Sequence, residues 1–254
     1  MDNAIPIARE IVAAYQRVGD LAVAYGQGSL LAGFDSTAGL DLVLVWDRVD
    51  PPPADDRPVH QLHDGRQPAM RFMQRDRFAI GGHEVNVAHR TKREFEDWRD
   101  AVHAGRGWEV VTNPAPLYAI SGFVYGVLLA DLDGSGSQAR EKLFTFPEAL
   151  RERSASTLSD DLTTYESDLV TAAKRGDGWL FHELLGNMHR HAMVAWFAAE
   201  RRYCPYPKWL QRWIARFNLD PRIAMLERSL WTPPVSLHNR VDQFRQLVDR
   251  VLKL

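Results

Sequence analysis

The stretch from Ala24 to Trp46, AYGQGSLLAGFDSTAGLDLVLVW, leaves the chain few ways to fold. A short apolar run, Leu21 to Tyr25, leads into Gly26, Gly28 and Ser29, and Leu30 to Gly33 can begin a helix. After a loop containing Asp35 and Ser36, the run Leu40 to Trp46 is almost continuously apolar and rich in β-branched residues, except for Asp41. The order predicted is strand, glycine turn, helix start, loop, strand. A Gly-Ser at the mouth of a helix offers backbone N–H groups and a hydroxyl to a phosphate. A carboxylate on the next strand is placed to hold a metal ion against that phosphate. A dinucleotide-binding turn would need glycine where Leu31 stands, and no Gly-Lys-Ser/Thr follows a glycine loop, so neither of those phosphate motifs is present.

A Gly-Ser, a glycine a few residues on, and then a strand carrying acids resembles the nucleotidyltransferase superfamily. This is the polymerase-beta-like fold that includes the aminoglycoside and lincosamide nucleotidyltransferases. The resemblance implies an α+β protein: a nucleotidyltransferase-fold mixed sheet with helices, followed by an α-helical bundle domain. It also implies an enzyme that uses Mg²⁺ and transfers a nucleoside monophosphate from a nucleoside triphosphate to a small-molecule acceptor. In that family the strand reads Ser-Asp-apolar-Asp-apolar, whereas here the letters are Ala38, Gly39, Leu40, Asp41 and Leu42. The second acid is kept and the first is glycine. A third family carboxylate sits on a neighbouring strand, for which Gly82 to Ala88 is the match, with Asn86 at the expected place and Glu84 two residues earlier on the same face.

The site implied by the resemblance therefore has Asp41, Glu84 and Asn86 at the catalytic positions, with Asp41 and Glu84 as metal ligands and Asp35 as a further stand-in. Gly28 and Ser29 would hold the phosphates. The loss of acids at Gly39 and Asn86 supports an alternative, a site that has given up metal-dependent transfer. Such a site binds a nucleotide or metabolite, or runs metal-independent chemistry.

Later in the chain, Arg201 to Leu210 reads RRYCPYPKWL and resembles an aromatic-proline-Lys-Trp-Leu stretch in the helical domain of a nucleotidyltransferase-like branch. Lys208, held by stiff neighbours, suits a nucleotide's phosphates; alternatively the aromatics pack and Lys208 stays in solvent. His182 and His189 are seven apart and share a helix face, without a zinc-binding motif.

Thirty-one basic and 33 acidic residues give a net charge of −2, which offers no electrostatic case for nucleic acid or an anionic membrane as partner. The expected partners are a nucleotide and a small-molecule acceptor. The single cysteine, Cys204, fits a reducing compartment, and neither a secretory pattern nor an apolar run of membrane-spanning length is visible, so a cytoplasmic location is expected.

Periodicity predicts a first helix over Ile5 to Val18, a surface loop over the proline-rich Asp47 to Pro58, and a hairpin of Arg77 to Ile80 with His83 to Ala88 around Gly81-Gly82. Thr91 and Glu94 form a capping box for a helix to His103; a short helix over Leu117 to Phe123 and a strand over Gly126 to Ala130 follow. Asp131 to Gly134 reads as a tight turn rather than a cation site. The expected domains are 1–136 and 137–254, the second built from helices over Pro147 to Ser154, Leu158 to Lys174, Trp179 to Arg202, Pro207 to Phe217, Pro221 to Leu230 and Val235 to Leu252.

Overall fold

The computed structural model describes residues 4–65, 69–72, 74–109, 114–232 and 236–254. The chain divides into two compact units, Met1–Ala101 with Tyr118–Thr145, and Val102–Leu117 with Phe146–Leu254.

The first unit is built on a mixed sheet. Its strands among the described residues are β1 (Leu21–Gln27), β2 (Leu40–Trp46), β3 (Met70–Phe72), β4 (Arg75–Ile80), β5 (His83–Thr91) and β6 (Val127–Asp131), in the order β3-β4-β5-β2-β1-β6. Only β2 and β5 run parallel. The expected hairpin forms, with Ile80 paired to His83 across Gly81-Gly82. Both turn glycines have positive φ, +58° and +84°, as a two-residue turn with matching twist requires. Met70–Phe72 adds an edge strand that the sequence did not suggest.

Helices α1 (Ala4–Gln16), α2 (Gly28–Leu31), α3 (Val59–Leu62), α4 (Lys92–His103), α5 (Pro116–Tyr125) and α6 (Ser135–Phe144) accompany the sheet. Strand alternation gives it two unlike faces. Leu40, Leu42, Leu44 and Trp46 join Val85, Val87 and Phe78 in a core sealed by Ile7, Ile11 and Tyr15 of α1. On the other face Phe123 of α5 meets Tyr25 edge-on at 5.1 Å and Phe95 of α4 at 4.8 Å. The capping box at the start of α4 is complete: Thr91 N donates to Glu94 Oε2 at 2.7 Å, and Glu94 N donates to Thr91 Oγ1 at 3.1 Å.

The α1 face contains a buried ionic network. Asp76, fully buried, accepts from Arg57 Nη1 at 3.1 Å, from Tyr15 Oη at 2.7 Å and from His89 Nε2 at 2.8 Å. Trp46 Nε1 donates to His89 Nδ1 at 3.2 Å, so His89 is the neutral tautomer with its proton on Nε2. Burial pushes the His89 pKa down, and its contact with Asp76 does not reverse this. Burial alone would raise the Asp76 carboxyl, but the bonds from His89 and Tyr15 and the Arg57 charge outweigh it and hold it below the ordinary carboxylate value. Arg57 also donates from Nε and Nη2 to the Pro52 carbonyl, at 2.9 and 2.7 Å. The proline-rich segment, expected wholly at the surface, is thus clamped to the core at Pro52 and Arg57.

Helix α6 begins where the domain boundary was expected, yet it packs on β1 and β6 and belongs to the first unit. Asp131 is occupied as a cap: its oxygens accept from Gly136 N at 2.9 Å and Ser137 N at 2.8 Å, while Asp133 accepts from Ser135 N and pairs with Lys92. That is turn chemistry, as expected for this segment.

The second unit contains α7 (Glu148–Arg175), α8 (Gly178–Ala199), α9 (Leu210–Phe217), α10 (Pro221–Trp231) and α11 (Leu237–Val251). Helix α7 is one continuous rod where two helices were expected, because Ser154 to Thr157 contains no glycine or proline to break it. Gly176, with φ +68°, ends it, and Asp177 caps α8 by accepting from Leu180 N at 3.1 Å. Phe181, Leu185, Met188 and Trp196 of α8 pack with Leu169 of α7 and Phe244, Leu247 and Val248 of α11 as the core. Of the last helix expected, Val235 lies outside the described residues.

Candidate functional site

The ends of β1, β2 and β5 bring the predicted residues together. β1 stops at Gln27 because Gly28 turns the chain with φ +85°, and the first turn of α2 follows at once. Ser29 is buried at 5% exposure, and its carbonyl accepts from Phe34 N at 2.8 Å, closing the loop towards β2. Asp41 is the second residue of β2, paired with Gln27 on one side and Asn86 on the other. Asn86 Nδ2 donates to Asp41 Oδ1 at 3.2 Å. A Cβ built on Gly28 would lie 2.6 Å from Asp41 Oδ2, so the carboxylate rests directly against the glycine turn. The Gln27 side chain lies against α5, its Oε1 1.9 Å from where a Cβ on Gly122 would be.

Gly28→Ala should therefore damage the site in two ways. A left-handed backbone costs a non-glycine residue roughly 1–2 kcal/mol, and the new methyl must displace the Asp41 carboxylate. The expected result is a lower melting temperature; a melt unchanged from wild type would contradict the geometry.

Gly39 lies beside this cluster, where a Cβ would be 3.8 Å from Asn86 Nδ2 and 3.7 Å from Glu84 Cβ. The position is not open space, since the same Cβ would come within 3.1 Å of the Glu84 carbonyl oxygen. Glu84 shares the Asp41 face and is exposed near the start of β5. Asp35 is turned to its own loop, accepting from Thr37 N at 2.9 Å and Thr37 Oγ1 at 2.7 Å. Mg²⁺ takes oxygen ligands in near-octahedral geometry. Here position 39 supplies no ligand and position 86 aims an N–H at Asp41, so the residues at the family's acid positions do not fit a multi-carboxylate Mg²⁺ site. Among the described residues no group of three His, Cys, Asp or Glu side chains is placed to hold a metal.

Lys208 belongs to the second unit, exposed, with its Nζ 5.8 Å from the centroid of the Trp209 ring. His182 is exposed, whereas His189 pairs with the buried Glu227 at 3.2 Å, so the two histidines do not act as a pair. His191 hydrogen-bonds Asp161 across α7 and α8. The sequence reading passed over Gln27 and Arg77, which complete the polar row across the sheet. Counting back from the two-residue turn pairs Arg77 with Asn86, so that signal was available.

A family model described as a domain of unknown function (DUF4037) matches residues 114–210. No match is found among curated proteins. Among solved structures, the chain is similar to one described as a nucleotidyltransferase-like protein from Exiguobacterium sibiricum, with 12% identity and a TM-score of 0.48, covering 98% of this chain and 74% of that one. Among the described residues no helix is long and apolar enough to cross a membrane.

Proposed function

We propose that this is a nucleotidyltransferase-like protein whose ligand is a nucleoside triphosphate, held where β1 ends and β2 begins, and that it passes the nucleoside monophosphate to a small-molecule hydroxyl. The observation that carries the reading is the contact between the turn and the carboxylate: Gly28 leaves no room for a side chain because Asp41 fills that space, 2.6 Å from where a Cβ would be. Backbone N–H groups after the turn would take phosphate oxygens. Attack by the acceptor oxygen on the α-phosphorus forms one P–O bond and breaks the bond to pyrophosphate. Catalysis of such a transfer rests on positioning and on neutralising charge on the phosphoryl group.

A second reading, binding without transfer, is favoured by one observation, the Asn86 amide donating to Asp41 at 3.2 Å. Incubation with each nucleoside triphosphate, Mg²⁺ and a panel of hydroxyl acceptors separates the two. Release of pyrophosphate with a nucleotidylated product supports transfer, and binding without consumption supports the second reading. Absence of both removes the proposal. Ser29→Ala should weaken triphosphate binding by about 0.5–1.5 kcal/mol, the value of one net hydrogen bond. Calorimetry showing an unchanged affinity would exclude the Ser29 hydroxyl as a contact.

A further inference from the structure

Four strands contribute one polar residue each to a single row across the candidate site. Strand register pairs Gln27 with Asp41, Asp41 with Asn86 and Asn86 with Arg77. All four lie on the same face, because directly paired residues of neighbouring strands point the same way. The next residue of β4 on that face is Arg75, half-buried opposite Ala88, and the next of β5 is Arg90. Arg75 and Arg90 are close enough for their charges to interact unfavourably. Three guanidiniums therefore follow one another down one face, beginning beside Asn86. Glu84 lies on the opposite side of Arg77 from Arg75, opposite Ala79.

Arg90 is committed, donating to the His89 carbonyl at 2.8 Å and to Gln74 Oε1 at 3.2 Å and lying 5.6 Å from the centroid of the Trp98 ring. Arg77 is different. It is exposed, and among the described residues its side chain has neither a hydrogen bond nor an ion pair. Its Cβ stands one strand spacing from that of Asn86, about 4.5–5.5 Å for a cross-strand pair. An arginine side chain spans that distance easily. A guanidinium presents a planar fork of donors that matches two phosphate oxygens at once and never loses its charge at physiological pH.

We propose that Arg77 supplies the positive charge that the acid positions of this site are not built to recruit as a metal ion, so that the protein binds the phosphates of a nucleoside triphosphate without Mg²⁺. The inference rests on the nucleotide reading above and names the residue and the charge state of the ligand: the free, fully anionic triphosphate rather than its metal complex. Asn86 fits the same scheme. As an amide it adds no negative charge to that of Asp41 and spends a donor on that carboxylate, at 3.2 Å.

The test is calorimetric titration of ATP into wild type, Arg77→Met and Arg77→Lys, each in EDTA and in Mg²⁺, with thermal melts to establish that the variants fold. Wild type should bind in EDTA within about threefold of its affinity in Mg²⁺, a factor well below the tenfold that 1.4 kcal/mol represents. Arg77→Met should bind at least tenfold more weakly in EDTA with an unchanged melt, and Arg77→Lys should recover part of the loss. If wild type binds only with Mg²⁺, or if Arg77→Met binds ATP as wild type does, the inference is overturned while the nucleotide reading stands. If wild type binds ATP in neither buffer, both fall together.

Discussion

Asp76→Ala should lower the folding stability of the protein by about 3–5 kcal/mol, the usual cost of removing one member of a buried ion pair. Arg57 is 1% exposed and would lose the Asp76 carboxylate from beside its buried charge, while still tied to the Pro52 carbonyl. Tyr15 and His89 would each lose a hydrogen-bond acceptor in the same place. Urea unfolding of the variant checks this, and a loss below about 1 kcal/mol, the size of a surface effect, would contradict the network.

The pH dependence follows from the same groups. Asp76 and His89 both bind their protons more weakly in the folded state than in the unfolded chain. Where the unfolded state holds more protons, stability rises with pH. The His89 contribution is complete above the ordinary value of 6.5 and is lost as the pH falls below it. The Asp76 contribution is lost only below the ordinary 3.8. His89→Gln, which cannot titrate, should therefore flatten the decline in stability between pH 7 and 5 relative to wild type. An equally steep decline in the variant would show that His89 is not the group responsible.

Gly126→Ala is the second substitution with a large expected effect. A Cβ there would lie 2.4 Å from the Gly26 carbonyl oxygen and 2.5 Å from that of Gly122, both backbone atoms with no freedom to move aside. Overpacking of this kind costs about 1–3 kcal/mol or more, and the damage falls where β6 pairs with β1 beside the candidate site. Gly122→Ala is the natural comparison. Its Cβ would meet Gln27 Oε1 at 1.9 Å, the far end of a flexible side chain that can swing away. Gly126→Ala should melt well below wild type and Gly122→Ala close to it. Equal melting temperatures for the two variants would contradict the close approach at Gly126.

The contrast between what could and could not be read from the sequence lies in the range of the interactions. The glycine turn, β2, the hairpin around Gly81-Gly82 and the Thr91–Glu94 capping box were legible because each depends on residues a few positions apart. The pairing of Asp41 with Asn86 was legible through strand parity and a family pattern, and the two do touch. The Arg57–Asp76–His89 network was not, because nothing near Arg57 shows that its partner lies 19 residues away on β4. The boundary between residues 136 and 137 was expected from the polar Gly134 to Ser137 segment, which hides that α6 continues beyond it with Ala139 and Leu143 buried. Lys208, singled out by its stiff and distinctive local sequence, lies exposed beside Trp209.

A crystal structure with a non-hydrolysable nucleoside triphosphate, grown with and without Mg²⁺, would show whether a nucleotide is held at the Gly28 turn beside Asp41. Phosphate oxygens should lie at hydrogen-bond distance, about 2.7–3.2 Å, from the backbone N–H groups that follow Gly28 and from the Arg77 guanidinium, in both crystals. A triphosphate bound away from the end of β1 and the start of β2 would overturn the proposed site.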